Sequence, residues 1–588
     1  MTDKPTFPPL PALRELFERA LQTGEATSFS LPGGKPLFLA GEPAEYLYLL
    51  RAGRLAAIEH DAGEERRSLG LVRPGEPVGE MALIAGTRHS ADVIALRDCE
   101  IAALPRTSFF RSVESNSGLM IELARLVIGR ARHAAAGPPL GEPSVFGFVA
   151  LSPGQRIRSL VERVATTVRS LGYSVTVIGS EAENAPTEWF SNVAHVHDFV
   201  FYAAELGELA WGKLICRQVD RLFRIGNGGL PPPETIGLEP SETLHSQQLV
   251  DLVLLQSATC LTPVGSARWS ATLSPARLFQ VRDGNRGDID RLARVITGQA
   301  VGLVLSGGAA RAYAHIGAIR TMRERNIPID FVGGVSMGAV IGLGVAMGWA
   351  MDELEHRIRR AFVDSSPLAD IAFPLIALTH GRRVKERLTE HFGDRQICDL
   401  WLPFFCVSAN LTTGGYQLHR HGIAREAVRA SISLPGVLPP VVDGANVLVD
   451  GAVMNNYPAD IMRAIQSGPI VGVDVSRGRS INADDLMNPT TLWRWLVTGA
   501  WRRGPPIVSL LMRAATVSTG RDLAAARAAT DVLILPMVDE IEIRDWGSFD
   551  DAVAAGEIAA RATLDAIDRP ITDLRKRATI EERLGLQF

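Results

Sequence analysis

Several features that define whole classes of protein are scarce in this sequence. Its 588 residues include only five cysteines, and these lie far apart with no CxxC pair: Cys99, Cys216, Cys260, Cys398 and Cys406. We therefore expect neither a disulfide framework nor a metal site, and reduced thiols indicate a cytoplasmic location. Charge of one sign is not in excess, because 61 basic and 65 acidic residues give a formal net charge of −4. Whole-chain electrostatics thus predict no nucleic-acid partner.

Export signals and long apolar runs are also scarce. The N-terminus lacks the basic-then-apolar order of a secretory signal, and its prolines interrupt any short apolar run. Residues 331–351 form one uncharged run of 21 residues, which is long enough to cross a bilayer as a helix. Six of these residues are glycine, and the residues before the run have a strand pattern. We therefore predict a strand end, a tight turn and a buried helix, and no transmembrane segment.

The length predicts three or four domains at roughly 100–200 residues each. Residues 10–135 contain short runs broken by glycine and then a helical pattern, which predicts a small β-barrel with helices. Residues 145–292 have an α/β pattern without a GxGxxG or GxxxxGK[ST] motif. Residues 299–465 alternate strands and helices, which predicts a mostly parallel sheet. Residues 466–588 are expected to pack on that domain as an extension.

The motif GVSMG places Ser336 between a predicted strand and a glycine-rich helix. A nucleophilic serine on a sharp strand-to-helix turn needs small neighbours, here Gly334 and Gly338, because the helix packs close to the strand. The helix N-terminus also favours developing negative charge. The same pattern is compatible with an ordinary tight turn.

A second glycine-rich turn lies one strand–helix–strand unit upstream. In LVLSGGAARAYAHIG, Gly307 and Gly308 follow a strand directly, and Arg311 begins the next helix. Consecutive backbone N–H groups in such a turn can converge on an oxyanion. Alternatively, it is a plain βα turn or a phosphate loop without its lysine. The spacing of the two turns favours the catalytic reading of both.

A carboxylate in NVLVDGAVMNNYP, Asp450 before Gly451, ends another predicted strand. An aspartate there can accept the serine proton directly, which gives a two-residue site without histidine. An Asp-Gly pair is also a common turn. Other candidate bases are His315, His419 and His421. Asp474 is a further strand-end carboxylate, for which a helix cap or turn is the favoured interpretation.

Four segments together, LVLSGGAARAYAHIG, GVSMGA, RASISLPGVLPP and LVDGAVMNNYP, resemble the patatin-like phospholipases, and within them the neuropathy target esterase family. The resemblance implies a C-terminal α/β hydrolase with a Ser–Asp dyad, in which Ser336 is the nucleophile and Asp450 the base. It also implies an oxyanion hole and supporting motif residues. These are Gly307, Gly308 and Ala309 for the hole, and Arg311, Gly334, Gly338 and Gly451 for support.

The sequence departs from that family at three positions of the glycine-rich loop. The family typically has glycine where this sequence has Ser306, Ala309 and Ala312. The backbone at these three positions is therefore less free to adopt unusual conformations than in the family. If Ala309 requires a positive φ, we expect a strained oxyanion hole.

The N-terminal segment VGEMALIAGTRHSADVIAL resembles the phosphate-binding cassette of cyclic-nucleotide-binding domains. In that family a Gly-Glu pair, here Gly79 and Glu80, contacts the ribose, and an arginine pairs with the cyclic phosphate. His89 stands at the arginine position, and Arg88 precedes it. Asp92 replaces a small hydroxyl residue. A cyclic nucleotide is therefore one candidate effector, and another ligand or a protein-contacting module are the alternatives.

The sequence predicts a serine esterase that acts on phospholipid or lysophospholipid acyl esters, without a required cofactor and with possible control by the N-terminal domain. Trp493, Trp495 and Trp501 lie beside arginines in an apolar segment, a composition typical of the membrane interface or of a packing helix. They suggest peripheral membrane contact. The alternative function is a weakly active or non-catalytic signalling protein with a degenerate hydrolase domain.

Overall fold

The computed structural model describes residues 10–60, 66–116, 118–136, 143–234, 249–365, 370, 372, 376–476, 520–542, 545–580 and 582. The chain divides into two compact units. The first comprises residues 1–227, 232–253 and 578–588, and the second comprises residues 228–231 and 254–577. The multidomain fold class is confirmed, with a β-barrel first and α/β sheets after it. The four domain boundaries given above stay a prediction.

The first unit begins with a small barrel made of two four-stranded antiparallel sheets. Its strands are β1 (Thr27–Leu31), β2 (Pro36–Phe38), β3 (Tyr46–Ala52), β4 (Leu55–His60), β5 (Arg66–Val72), β6 (Pro77–Val78), β7 (Asp92–Ala95) and β8 (Cys99–Pro105). Its helices are α1 (Pro11–Thr23), α2 (Glu80–Ala85), α3 (Arg106–Ser115) and α4 (Gly118–Ala136). The sheet orders are β1-β8-β3-β6 and β2-β7-β4-β5. Alternate β3 residues face one side, so Leu47 and Leu49 share a core with Leu13 and Phe17 of α1.

A parallel sheet follows in the same unit. It contains β9 (Val145–Ala150), β10 (Val175–Ile178), β11 (Phe199–Ala204) and β12 (Arg221–Asn227) in the order β10-β11-β9-β12, with β13 (Leu249–Gln256) next to β12. Its helices are α5 (Ile157–Ser170), α6 (Thr187–Val196) and α7 (Leu209–Gln218). Every residue of β9 and β11 is buried, which explains their continuous apolar sequences because a parallel sheet is covered on both faces.

The second unit alternates helices and strands. Its helices are α8 (Ser266–Leu273), α9 (Arg286–Thr297), α10 (Ala314–Glu324), α11 (Met337–Ala346), α12 (Met351–Arg359), α13 (Arg382–Phe392), α14 (Ala424–Ser431), α15 (Ala459–Ile465), α16 (Gly520–Ala528) and α17 (Phe549–Asp565). Its strands are β14 (Arg277–Arg282), β15 (Gly302–Leu305), β16 (Phe331–Val335), β17 (Phe404–Asn410), β18 (Gly415–His419), β19 (Val441–Asp443), β20 (Asn446–Asp450), β21 (Ile470–Val473) and β22 (Val532–Ile534).

The main sheet of the second unit has the order β19-β20-β17-β16-β15-β21-β22, with β18 paired to β17. Strands β17, β16, β15, β21 and β22 are parallel. Strands β18 and β20 run antiparallel to β17. Catalytic groups in such sheets lie at the carboxyl ends of the parallel strands, and β20 brings a residue to that edge from the opposite direction.

The uncharged run at 331–351 has the predicted strand–turn–helix structure. It forms β16, a turn at Ser336 and α11, and all ten residues of α11 are buried. A helix that is apolar on every face belongs in a protein core or a membrane, and here it packs in the core of the second unit. No helix within the described residues is long and apolar enough to cross a membrane.

Candidate active site

The sheet register brings Ser336 and Asp450 together. Val335 pairs with Val407 on one side of β17, and Asp450 pairs with Ser408 on the other side. The residue after Val335 therefore lies level with the end of β20. The Ser336 hydroxyl donates a hydrogen bond to Asp450 Oδ2 at 2.7 Å, although 114 positions separate the two residues.

The Ser336 turn is sharp and closely packed. Its backbone has φ 52° and ψ −128°, a sparsely populated conformation that stores strain of about 1–3 kcal/mol. A Cβ at Gly338 would lie 2.5 Å from the carbonyl oxygens of Leu305 and Ser306, so only glycine fits there. The Ser336 N–H donates to Ser431 Oγ at 2.9 Å, which fixes the turn from outside the motif.

Asp450 is buried and accepts a hydrogen bond from the Ser336 hydroxyl. Its side chain is buried, and burial raises the pKa of Asp450 to about 6, while hydrogen bonds from the Ala452 N–H and the Ser336 hydroxyl act in the opposite direction. The Ala452 N–H donates to Oδ1 at 2.9 Å, and Oδ2 faces the serine. The two carboxylate oxygens thus have separate partners, and one of them is directed at the nucleophile.

The glycine-rich loop lies beside the serine. A Cβ at Gly307 would lie 2.4 Å from Asn456 Oδ1 and 3.2 Å from the Ser336 Cβ, so the loop backbone approaches the nucleophile closely. The Gly307 N–H donates to the Asn456 carbonyl at 3.2 Å. Within the described chain, the N–H groups of Gly308 and Ala309 have no comparable acceptor. Of the three amides predicted for the oxyanion hole, these two are available for a bound oxygen.

The three departures from glycine have different structural consequences. Ala309 has a φ of 49°, which lies in the left-handed region. This conformation is strained for alanine, as expected above for an Ala309 with positive φ. Ser306 and Ala312 do not have positive φ. The Ser306 hydroxyl accepts the Val475 N–H at 2.9 Å, so this side chain replaces backbone freedom with a buried hydrogen bond. Of the three positions where a side chain replaces glycine, only Ala309 therefore has a strained backbone.

The supporting residues have structural contacts. The Arg311 Nε donates to the carbonyl of Ile541 at 2.7 Å, so its guanidinium joins the loop to a neighbouring segment. Gly334 is the residue before the last in β16 and pairs with Leu305 of β15. Gly451 follows β20, where a Cβ would lie 2.2 Å from the Val407 carbonyl oxygen.

The other candidate bases are engaged elsewhere or lie at the surface. His315 is fully buried, its Nε2 bonds the Ser306 carbonyl at 2.8 Å, and burial lowers its pKa to about 4. His419 Nε2 bonds Ser408 Oγ at 2.8 Å. His421 is exposed. Asp474 forms an ion pair with Arg527, with its Oδ2 2.8 Å from Nε.

Two residues of the site did not stand out in the sequence. Ser431 accepts the Ser336 N–H and donates to the Val407 carbonyl at 2.7 Å, so it links the nucleophile turn to β17. Asn456 contacts the Gly307 backbone through its own carbonyl and through its side-chain Nδ2. Both lie inside motif segments, RASIS and MNNYP, but nothing in their local spacing indicates these partners.

The cassette of the first unit has a different set of contacts from a phosphate site. Gly79 caps α2, and the buried Glu80 carboxylate accepts a hydrogen bond from Arg130 Nη1 of α4 at 2.6 Å. The His89 ring stacks on Phe38 with centroids 3.6 Å apart, and burial lowers the pKa of His89, which disfavours its charged form.

Arg88 and Asp92, the other cassette residues near His89, also form hydrogen bonds with the barrel. The Arg88 guanidinium donates to the Gly41 carbonyl at 2.7 Å, and Asp92 Oδ1 accepts the Ala40 N–H at 2.8 Å. The residues predicted for this pocket therefore bond to the protein itself. Trp493, Trp495 and Trp501 lie outside the described residues.

Two family descriptions match this chain. "Patatin-like phospholipase" matches residues 303–463, which contain the serine, the aspartate and the glycine-rich loop. "Cyclic nucleotide-binding domain" matches residues 28–116, which contain the barrel strands.

Related proteins extend the similarity over nearly the whole chain. An uncharacterized NTE family protein of Mycobacterium bovis is 31% identical over 94% of this chain and 94% of its own length. Human patatin-like phospholipase domain-containing protein 6 is 26% identical, and the match spans 94% of this chain but 46% of the human protein. The Drosophila melanogaster neuropathy target esterase sws is 25% identical over 90% of this chain and 42% of its own length. Among solved structures, the Thermus thermophilus catabolite activator protein is 26% identical over 27% of this chain and 66% of its own, with a TM-score of 0.19.

Proposed function

The chain belongs to the neuropathy target esterase (NTE) family, and from this membership we propose that it hydrolyses acyl esters of phospholipids or lysophospholipids through a Ser336–Asp450 dyad. The observation that carries the proposal is the 2.7 Å hydrogen bond from the serine hydroxyl to a buried carboxylate. The lipid substrate class comes from the patatin-like phospholipase domain. The dyad comes from the contacts of the two side chains.

The geometry supports a two-step acyl transfer. Ser336 Oγ attacks the ester carbonyl carbon as its proton moves to Asp450 Oδ2, and the amides of Gly308 and Ala309 stabilise the oxyanion. Collapse of the tetrahedral intermediate releases the alcohol, which takes the proton from Asp450. A water molecule then attacks the acyl-enzyme carbonyl and gives a proton to Asp450. Release of the fatty acid returns that proton to Ser336.

Asp450 can serve as the base without an intervening histidine because its environment raises its basicity. A carboxylate with its ordinary pKa is a weak base at neutral pH, whereas a pKa of about 6 lies near the working range of a general base. His315 and His419 are bonded to Ser306 and Ser408 respectively.

The test compares Ser336→Ala and Asp450→Asn with the unchanged protein in a hydrolysis screen across lipid classes. We expect each variant to lose on the order of 10³-fold in turnover, because either change removes a reacting group. Ser365→Ala is a matched control, since among the described residues that hydroxyl donates to the Ala361 carbonyl of its own helix turn. Turnover close to the unchanged level in either dyad variant would refute the proposal.

A fluorophosphonate probe separates the esterase from the non-catalytic alternative. An activated serine reacts with the probe, so we expect Ser336 to be labelled in the unchanged protein and labelling to be lost in Ser336→Ala. Absence of labelling in folded, unchanged protein would favour a scaffold that binds lipids without hydrolysing them. The strained Ala309 is the observation that favours that alternative.

We also propose a cytoplasmic location with peripheral membrane contact. The five cysteines are all free, which supports a reducing compartment. Membrane contact is supported by the sequence around Trp493, Trp495 and Trp501 alone. In a liposome-flotation assay, alanine at all three positions should weaken binding to the liposomes. Unchanged flotation would refute membrane contact through these tryptophans.

A cyclic nucleotide is the effector to test for the N-terminal domain, which we propose regulates the hydrolase. Binding in the family manner requires Glu80 to leave Arg130 and requires a cationic partner for the phosphate, which neutral His89 does not provide. We therefore expect at most weak heats with cyclic AMP and cyclic GMP in calorimetry. Tight binding of either nucleotide would show that the pocket rearranges.

A further inference from the structure

The second unit contains a cavity of about 720 Å³ that is separate from the catalytic pair. Met347, Gly348 and Trp349 line it, directly after the last residue of α11. Ser336 caps the other end of this helix, and ten residues at 1.5 Å each place the two ends about 15 Å apart. Ile327 and Ile329, which precede β16, also line the cavity, so it lies at the amino-terminal edge of the sheet. The volume is within the ordinary range of small-molecule sites, about 300–1,000 Å³.

Five arginines line this cavity: Arg282, Arg291, Arg323, Arg357 and Arg395. Two carboxylates pair with three of them. Asp288 forms ion pairs with Arg282 at 2.8 Å and with Arg291 at 3.1 Å, and Glu353 pairs with Arg357 at 2.9 Å. The cluster therefore carries three positive charges in excess.

Arg323 and Arg395 form no ion pair with any described residue. The Arg323 guanidinium donates to the Trp349 carbonyl at 2.9 Å, and burial lowers its pKa. Burial also lowers the pKa of Arg395; the nearby positive charge of Arg357 adds to this effect, and the carboxylate of Glu353 opposes it. Half-buried cations that form no ion pair destabilise the folded protein, and a bound anion would relieve that penalty.

Two buried nitrogens at the cavity have no hydrogen-bond partner within the described chain. They are His391 Nε2, on a side chain that is 8% exposed, and Arg291 Nε, on one that is 5% exposed. Unsatisfied buried polar atoms are rare because each costs about 1–3 kcal/mol. Both lie in the wall of the cavity, which therefore contains polar groups that the described residues do not satisfy.

Aromatic and apolar residues also line the cavity. Trp349 stacks on Phe392 with ring centroids 5.2 Å apart, and the Arg282 guanidinium lies 4.4 Å from the Trp401 ring centroid. Leu261, which is 91% exposed, lies at the same cavity. A cluster of cations beside apolar surface suits a ligand that joins a highly charged anion to a carbon skeleton.

We propose that this cavity binds the dianionic phosphate group of a phosphate ester. Planar guanidinium groups pair bidentately with the oxygens of carboxylates and phosphates alike, and the three excess positive charges favour a dianionic phosphate over a monovalent carboxylate. The phosphate has two possible sources, a lipid headgroup or a soluble phosphate ester. The site shares no residue with the Ser336–Asp450 dyad, so this inference stands independently of the proposed hydrolysis.

Calorimetry on the full-length chain tests the proposal with two probes. Inorganic phosphate represents the soluble source, and 1-O-octylglycerol 3-phosphate represents the lipid source because its ether bond gives Ser336 nothing to cleave. We expect binding of at least one probe, unchanged in Ser336→Ala. We also expect 1-O-octylglycerol without phosphate not to compete. Affinity at least about tenfold higher for the ether lipid would identify a lipid ligand, and equal affinities would identify a soluble one.

Variants assign the binding to the arginines. Arg395→Gln and the double variant Arg323→Gln with Arg395→Gln should weaken binding by at least about tenfold, because neither leaves a carboxylate unpaired. Arg268→Gln, at an exposed position of α8 outside the cavity, is the matched control and should bind like the unchanged protein. If the double variant fails to fold, binding of the probes by the single Arg395→Gln variant decides whether the arginines form the site. No binding of either probe, or equal binding by the arginine variants, would overturn the proposal.

Discussion

The positive φ of Ala309 yields a quantitative test of how the oxyanion loop is built. A left-handed conformation costs an alanine about 1–2 kcal/mol relative to glycine. Glycine, in turn, adds unfolded-state freedom worth about 0.4–1 kcal/mol. The two effects oppose each other, so Ala309→Gly should raise the free energy of unfolding by about 0–1.5 kcal/mol.

Ala312→Gly is the matched control because it makes the same chemical change in the same loop. Ala312 is fully buried and has no positive φ, so glycine brings no relief of strain there. The control loses about 0.8 kcal/mol of methyl burial in addition to the same unfolded-state term. The unfolded-state contribution cancels between them, so we expect the two variants to differ by about 2–3 kcal/mol, with Ala309→Gly the more stable.

The assay must report on the second unit alone, because a chain with two units need not unfold in one step. Fluorophosphonate labelling of Ser336 identifies the relevant thermal transition, since only the unit that holds the serine should respond. Ester hydrolysis by Ala309→Gly should be at or above the unchanged rate. A transition for Ala309→Gly at or below that of Ala312→Gly would refute the account of strain in this loop.

Three further predictions concern the base, the nucleophile turn and the N-terminal pocket. Hydrolysis should fall about tenfold per pH unit below pH 6, because protonation of Asp450 removes the base; a rate that stays constant through this range would contradict its role. Ser431→Ala leaves the Ser336 N–H without this acceptor, so it should lower the free energy of unfolding by about 1–3 kcal/mol and slow hydrolysis. Thermal unfolding and turnover measure the two effects, and Ser431→Thr should restore both. His89→Arg should raise the affinity for cyclic AMP by about tenfold or more in calorimetry, and an unchanged affinity would exclude the family mode of binding.

The strands and the strand-to-helix turn at Ser336 were predictable because their signals are local. The apolar runs of β9, β11 and β16 and the glycines around Ser336 are determined by neighbours within a few residues. Asp450 could be proposed because it ends a strand, yet only the sheet register shows that it reaches the serine.

The remaining features depend on contacts between distant segments. Ser431 and Asn456 acquire their roles from backbone atoms about 95 and 149 positions away. The engagement of Glu80 by Arg130 joins two elements 50 positions apart. The arginine cluster combines residues from 282 to 395, and no spacing in the sequence connects them.

The distance of 114 positions between the serine and its base also affects the protein during its synthesis. At ~5–20 residues per second, a ribosome needs roughly 6–23 s to proceed from the codon for Ser336 to that for Asp450. Throughout that interval the nascent chain contains a nucleophile without a proton acceptor. Because β20 must pair with β17 before the two side chains meet, the proposed acyl transfer can begin only once these two strands have paired. In the proposed mechanism, chain order therefore delays lipid cleavage until the unit that contains both side chains has folded.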